Sequence, residues 1–179
     1  MASAFGHAIA SAALGKTFSS TLTSWKFWLL GAICSILPDA DVLAFKLGIA
    51  YKDFWGHRGF SHSLLFALVT GTLVTFLFFR KNLTLAKSAA YISYFSLATA
   101  SHGLLDAMTS GGLGVAFFSP WNDTRYFLPW RPIKVSPIGV ESFFSEWGMK
   151  VISSELIWIG IPCVGYIITI KLIKKYVIK

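Results

Sequence analysis

Residues 57–63 read His-Arg-Gly-Phe-Ser-His-Ser, so two of the four histidines of the chain sit within one short stretch. A third, His102, stands four residues before Asp106. On a helix, positions i and i+4 share a face about 6 Å apart. An imidazole nitrogen and a carboxylate oxygen so placed can hold one metal ion, each at roughly 2.0–2.2 Å. The bland alternative is that Asp106 only orients His102, but a buried pair of this kind without a metal adds little stability. The segment Leu37-Pro-Asp-Ala-Asp41 adds Asp39 and Asp41. An aspartate after a proline is a natural helix cap, which accounts for one carboxylate and leaves the other as a candidate ligand. Carboxylates beside imidazoles suit a divalent cation. His7, alone among Ala and Gly, completes the set of candidate ligands: His7, Asp39, Asp41, His57, His62, His102 and Asp106.

Three arginines could meet the other half of a reaction. Arg58 lies between the two histidines, and Arg125 and Arg131 lie in a proline- and aromatic-rich stretch. A guanidinium grips phosphate or carboxylate through paired hydrogen bonds. Arg58 is therefore a candidate both for substrate binding and for neutralising charge in the transition state, with Arg125 and Arg131 as further substrate contacts. The competing role for all three is contact with lipid headgroups, for Arg125 and Arg131 beside the interfacial Trp121 and Trp130. Whichever of Asp39 and Asp41 is not a ligand could accept a proton from the attacking water.

The elements that carry these residues are apolar. The chain has 179 residues, 55% hydrophobic and 13% charged, against roughly 25% charged in soluble domains. No charged residue occurs in 64–79 or in 156–170, and 88–108 holds only His102 and Asp106. With about 17–25 residues needed per span, these stretches predict helices crossing a membrane over about 62–79, 86–108 and 154–173. Residues 25–49 form a fourth, broken at LPDAD. The expected architecture is an all-α, polytopic bundle of about four membrane segments in a single domain, 1–179, with an extramembrane loop over about 109–153.

Gly59 argues that the chain is not yet helical at His57, and Ser61 is the expected cap of a helix starting at His62. His57 then lies on the approach and His62 in the first turn; either or both could face the ion. The net charge of +8 fits basic cytoplasmic flanks, Arg80, Lys81 and Lys87 and again Lys171, Lys174 and Lys175, rather than nucleic acid. With Lys16 and Lys26, that topology places the N-terminus inside if 25–49 crosses once, and it sends the His/Asp end of the second and third spans outward. Cys34 and Cys163 lie in apolar segments without paired spacing and read as spectators.

In order, His7, LPDAD, HRGFSHS and SHGLLDAMTSGG, followed by RYFLPWRPIKVSP and Ser154-Glu155, resemble the YdjM-type family of bacterial inner-membrane proteins, regarded as metal-dependent hydrolases. The resemblance covers most of the chain. The pattern is distantly similar to zinc-dependent phospholipase C and related single-strand nucleases, which use an early His, an Asp, a His and then H-x-x-x-D. Carried over, these are His7, Asp39 or Asp41, His57 or His62, and His102 with Asp106. It implies that Asp106 bridges two ions, with His7 on the second. Those enzymes have further histidine ligands after the helical pair; here none follows His102, and only Asp123, Glu141, Glu146 and Glu155 remain as acidic candidates. One or two ions, zinc foremost, is the expectation. The implied activity is hydrolysis of a phosphoester of a lipid or lipid-linked substrate by a metal-activated water. The alternative is a metal-binding membrane protein without turnover, a carrier, sensor or regulatory partner.

Overall fold

The computed structural model describes residues 1–81, 83–137 and 139–176. Among them the regular structure is helical, with two isolated β-bridges and no strand. α1 (Ala4–Gly15) starts at Ser3, whose hydroxyl accepts the Gly6 N–H. α2 (Trp25–Ile36) starts at Ser24 in the same way. At Leu37 it passes into a 3₁₀ stretch, Leu37–Leu47, with Pro38 in its first turn. Gly48, at φ 76°, ends that stretch in the left-handed region that glycine adopts without steric cost. The LPDAD break is thus a change of helix type rather than a gap.

α3 (Leu64–Phe78) is capped by Ser63, which accepts the Phe66 N–H at 3.0 Å. Ser61, the expected cap, instead donates to Asp41. α4 (Leu85–Ala107) is capped by Thr84. After a loop come α5 (Val140–Phe143), α6 (Glu146–Glu155), a π-helical turn Leu156–Gly160, and α7 (Ile161–Tyr176). Pro162 has no N–H to return to the preceding turn, and the widened π turn lies immediately before it. Helix therefore begins well ahead of the expected 154, and part of the expected loop is helical.

α4 is the hub. It packs along α3 and crosses α2 and α1. Phe27 of α2 stacks on Tyr94 of α4 at 3.9 Å, with Leu30, Cys34, Tyr91, Phe95 and Ala98 around them. Close approach depends on missing side chains. A Cβ on Gly31 would strike the Tyr94 ring, and one on Gly71 would strike Ser96. Small residues at such crossings let apolar helices meet through backbone contact.

Among the described residues two segments have the length and apolar character to cross a membrane, Trp25–Leu47 with 23 residues and Glu146–Tyr176 with 31. α3, at 15 residues, rises only about 22 Å. α4 has 23 residues, but its second half carries His102 and Asp106.

The bundle has two chemically distinct ends. Lys16, Lys26, Arg80, Lys81 and Lys87 sit at helix ends away from the histidines, and Lys174 of α7 donates to the carbonyls of Lys16 and Phe18. At the other end lie residues 1–7, 35–41, 57–62, 102–109 and Glu155. Residues 1–3 therefore belong to the histidine end, not to the basic end where the charge pattern had placed them. α1 runs from the one end to the other.

Candidate metal centre

Four candidate ligands arrive from three elements. Asp39 comes from the 3₁₀ stretch after α2. His62 comes from a short 3₁₀ turn, Phe60–His62, just ahead of α3. His102 and Asp106 share a face of α4. One donor atom from each of these four residues lies within 4.8 Å of all the others, and all four residues are buried. The His62 and His102 Nε2 atoms are 3.1 Å apart. Asp39 Oδ1 is 3.2 Å from His102 Nε2 and 3.8 Å from His62 Nε2. Asp106 Oδ2 is 3.7 Å from His62 Nε2 and 4.0 Å from His102 Nε2. Ligands held tetrahedrally by one ion at about 2.1 Å lie roughly 3.4 Å apart, which matches this spread.

The far sides of the rings fix their tautomers. His102 Nδ1 donates to the Ser35 carbonyl at 2.7 Å, and a carbonyl can only accept. His62 Nδ1 donates to the Ser61 hydroxyl at 3.0 Å, whose own hydrogen goes to Asp41 Oδ2, an oxygen 3.1 Å from the same nitrogen. With both protons on Nδ1, the two Nε2 atoms present lone pairs to each other, an arrangement that repels unless a cation or shared proton lies between them. Histidines that ligate metals are oriented by this kind of outer hydrogen bond. Asp39 points the same way: neither of its carboxylate oxygens has a hydrogen-bond partner, and buried polar atoms are rarely left so.

The two aspartates thus take different parts. Asp41 belongs to an outer layer, where Oδ1 accepts from His57 Nδ1 at 2.6 Å and Oδ2 accepts from the Ser61 hydroxyl at 2.6 Å and the Arg58 N–H at 3.1 Å. Asp41, His57 and His62 also form a ligand-type group. Asp41 is already satisfied by these donors, and His62 Nδ1 is committed to Ser61 and, through it, to Asp41. The geometry makes this layer the orienting shell of His62, with His57 a step behind. Tyr51 closes it, its ring edge-on to His57 at 5.1 Å. Burial holds its hydroxyl above the ordinary tyrosine range, so it stays protonated.

His7 is fully buried, stacked on His102 at 3.7 Å, with Nε2 at 3.5 Å from Asp106 Oδ1. Both of its ring nitrogens lack a hydrogen-bond partner. It adjoins the four-residue group from the Oδ1 side of Asp106.

The arginines differ from expectation. Arg58 is completely buried. Its Nε donates to Asp106 Oδ2 at 3.0 Å, its Nη1 to the carbonyls of Gly111 and Leu113, and its Nη2 to Thr109 Oγ1 at 2.8 Å. Its backbone holds φ 63°, an uncommon conformation for a residue with a Cβ. That turn sends the N–H to Asp41 and the side chain to Asp106. A guanidinium so engaged ties the loop after α4 to a ligand and has no reach to an incoming anion. Arg125 likewise donates to the carbonyls of His57, Gly114, Tyr51 and Asp53, stitching the loop over the site. Arg131 is exposed, with its guanidinium 4.6 Å from the Phe127 ring centre.

Residue type and spacing leave Ser3, Ser35 and Thr109 unmarked, and offer Glu155 only as one of four remaining acidic candidates. The Ser35 contribution is a backbone carbonyl, which no residue pattern reveals. Glu155 had one signal, a lone acid at the mouth of an apolar run.

A helical protein of apolar segments, holding buried imidazoles and carboxylates at one end of the bundle, is the class that fold and site define. The sequence matches the model of the YdjM inner membrane protein family over residues 1–177, and the chain belongs to that family. It is 40% identical over 159 residues to the inner membrane protein YbcI of Escherichia coli strain K12, covering 87% of this chain and 89% of that one. No solved structure matches it.

Proposed function

We propose that the chain is a multi-pass protein of the bacterial inner membrane. In this reading it binds one divalent ion, zinc foremost, through Asp39, His62, His102 and Asp106, with His7 adjoining. It hydrolyses a phosphoester of a lipid or lipid-linked substrate. The observation that carries the reading is the meeting of two Nε2 lone pairs and two carboxylates, with both Nδ1 atoms committed elsewhere. A divalent ion held there supplies Lewis acidity toward water and a phosphoryl oxygen.

The remaining work falls to the chain's own groups. Asp39 has a second oxygen free of hydrogen bonds, placed to hold a proton at Oδ2. Asp41 keeps the His62 proton on Nδ1. Arg58 holds Asp106 Oδ2 in place. Of the three arginines, only exposed Arg131 is left to meet a substrate phosphate. The basic ends of the helices favour the cytoplasmic side, which puts the centre toward the extracytoplasmic side. Four passes follow if α3 and α4 cross with the two longer segments, α3 by local thinning of the bilayer.

A second reading has its own support. Four protein ligands with almost no exposure resemble a closed structural site, whereas catalytic sites keep one position open. A metal-binding protein without turnover would look like this. Protein purified in detergent separates the two readings through elemental analysis and a panel of phosphate mono- and diesters, lipid phosphates included. Hydrolysis lost together with metal in His102→Ala and Asp106→Ala supports the enzyme. Full metal content in the wild type with no hydrolysis across the panel favours the second reading.

A further inference from the structure

Among the described residues, Glu155 is the one buried acid outside the His/Asp cluster and its outer layer. It closes α6 at the point where the helix widens into the π turn. Both of its carboxylate oxygens are taken by a single residue, Oε1 by the Ser3 N–H and Oε2 by the Ser3 hydroxyl. Ser3 is also the cap of α1, its Oγ accepting the Gly6 N–H. One position before it, the Ala2 N–H donates to Asp106 Oδ1 at 2.7 Å. One turn after it on the same helix stands His7, which faces the same oxygen.

The first turn of α1 has thus two ties to the centre and one anchor, and the anchor is Glu155. The packing fits this arrangement. A Cβ on Gly6 would come within 3.2 Å of the Glu155 carboxylate, so glycine lets the turn settle onto it. The neighbouring Ser154 hydroxyl accepts the Lys134 N–H at 3.0 Å. That strand of loop pairs back to Thr109 through Ile133. The end of α6 therefore holds both the first turn of α1 and the loop that leaves Asp106.

We infer that Glu155 is a positioning residue for the metal centre: by fixing Ser3 it sets the Ala2 N–H on Asp106 Oδ1 and places His7 beside it. Asp106 is then held from both sides, Oδ2 by Arg58 and Oδ1 by Ala2, and only its remaining lone pairs face the donors. The inference rests on the metal-binding reading above and not on turnover. Groups that orient ligands from behind typically contribute 10–100-fold to metal affinity.

The test uses the full chain in detergent, stripped with a chelator and titrated with zinc against a competing chromophoric chelator. Cobalt(II) in place of zinc reports ligand geometry through its visible spectrum. Glu155→Ala is expected to weaken zinc binding by about 10–100-fold and to shift the cobalt spectrum. Ser3→Ala is expected to weaken it less, because the Ser3 N–H still meets the carboxylate. The double variant should fall short of the sum, as for residues acting through one contact. Glu146→Ala, at the exposed start of α6, is the control and should bind as the wild type does. If Glu155→Ala fails to fold, Glu155→Gln and Ser3→Ala carry the test. Unchanged zinc affinity and cobalt spectrum in folded Glu155 and Ser3 variants, even with a lower melting temperature, would overturn the inference and leave the metal centre standing. A wild type that binds no metal would overturn the centre itself, and this inference with it.

Discussion

Arg58→Lys separates a guanidinium that builds the site from one that waits for substrate. The side chain is fully buried and donates to Asp106 Oδ2, two carbonyls and the Thr109 hydroxyl. Lysine keeps the charge, but it cannot reproduce the planar fork that reaches these acceptors. If its ammonium keeps the Asp106 contact and one other, two charge-assisted bonds are lost, at about 1.5–3 kcal/mol each. Partial relaxation of the loop recovers some of that, so a net loss of about 3 kcal/mol is expected. For a chain of this length that lowers the melting temperature by on the order of 10 °C. Thermal unfolding in detergent, followed by intrinsic tryptophan fluorescence, reads the shift. Zinc affinity should fall with it, because Asp106 loses part of its support. A variant as stable as the wild type, with normal metal content and a loss confined to phosphate binding, would refute the structural role and return Arg58 to the substrate.

Asp41→Asn should weaken zinc binding by about 10–100-fold without abolishing it, since the amide can still accept one bond but loses the carboxylate's hold on His62; competition titration checks this. Gly31→Leu should destabilise the fold by at least about 3 kcal/mol, because the new side chain meets the Tyr94 ring; the melting temperature is the readout. Cys34→Ala and Cys163→Ala should leave metal content unchanged, since neither thiol adjoins the His/Asp cluster; elemental analysis of the double variant decides.

The H-x-x-x-D pair and the HRGFSHS junction were legible because helical spacing fixes the first and Gly59 marks the second as non-helical. The rest needed the tertiary fold. Asp39 and Asp41 have the same residue type two positions apart, and only the 3₁₀ geometry after Pro38 turns one inward and the other toward His57. Arg58 had the right chemistry for an anion. Its left-handed backbone and burial, invisible to composition, gave it Asp106 instead. The membrane reading was legible for the C-terminal helix, whose apolar run is long, whereas Trp25–Leu47 reads in sequence as a segment broken at Pro38, Asp39 and Asp41 and becomes one long apolar helix only because the chain stays helical through Pro38. It was less so for α3, whose length depends on where Ser63 caps it. Hydrogen bonds through backbone atoms, Ser35 O to His102 and Ala2 N to Asp106, leave no mark on a pattern of residue types.

The central claim is that two imidazoles and two carboxylates share one divalent ion. X-ray absorption at the zinc edge of the purified, zinc-loaded protein tests it most directly. A shell of nitrogen and oxygen at about 2.0–2.2 Å is expected, with outer-shell imidazole scattering that falls in His102→Ala. A protein that retains no zinc, a shell containing sulfur, or an imidazole signal unchanged by that substitution would contradict it.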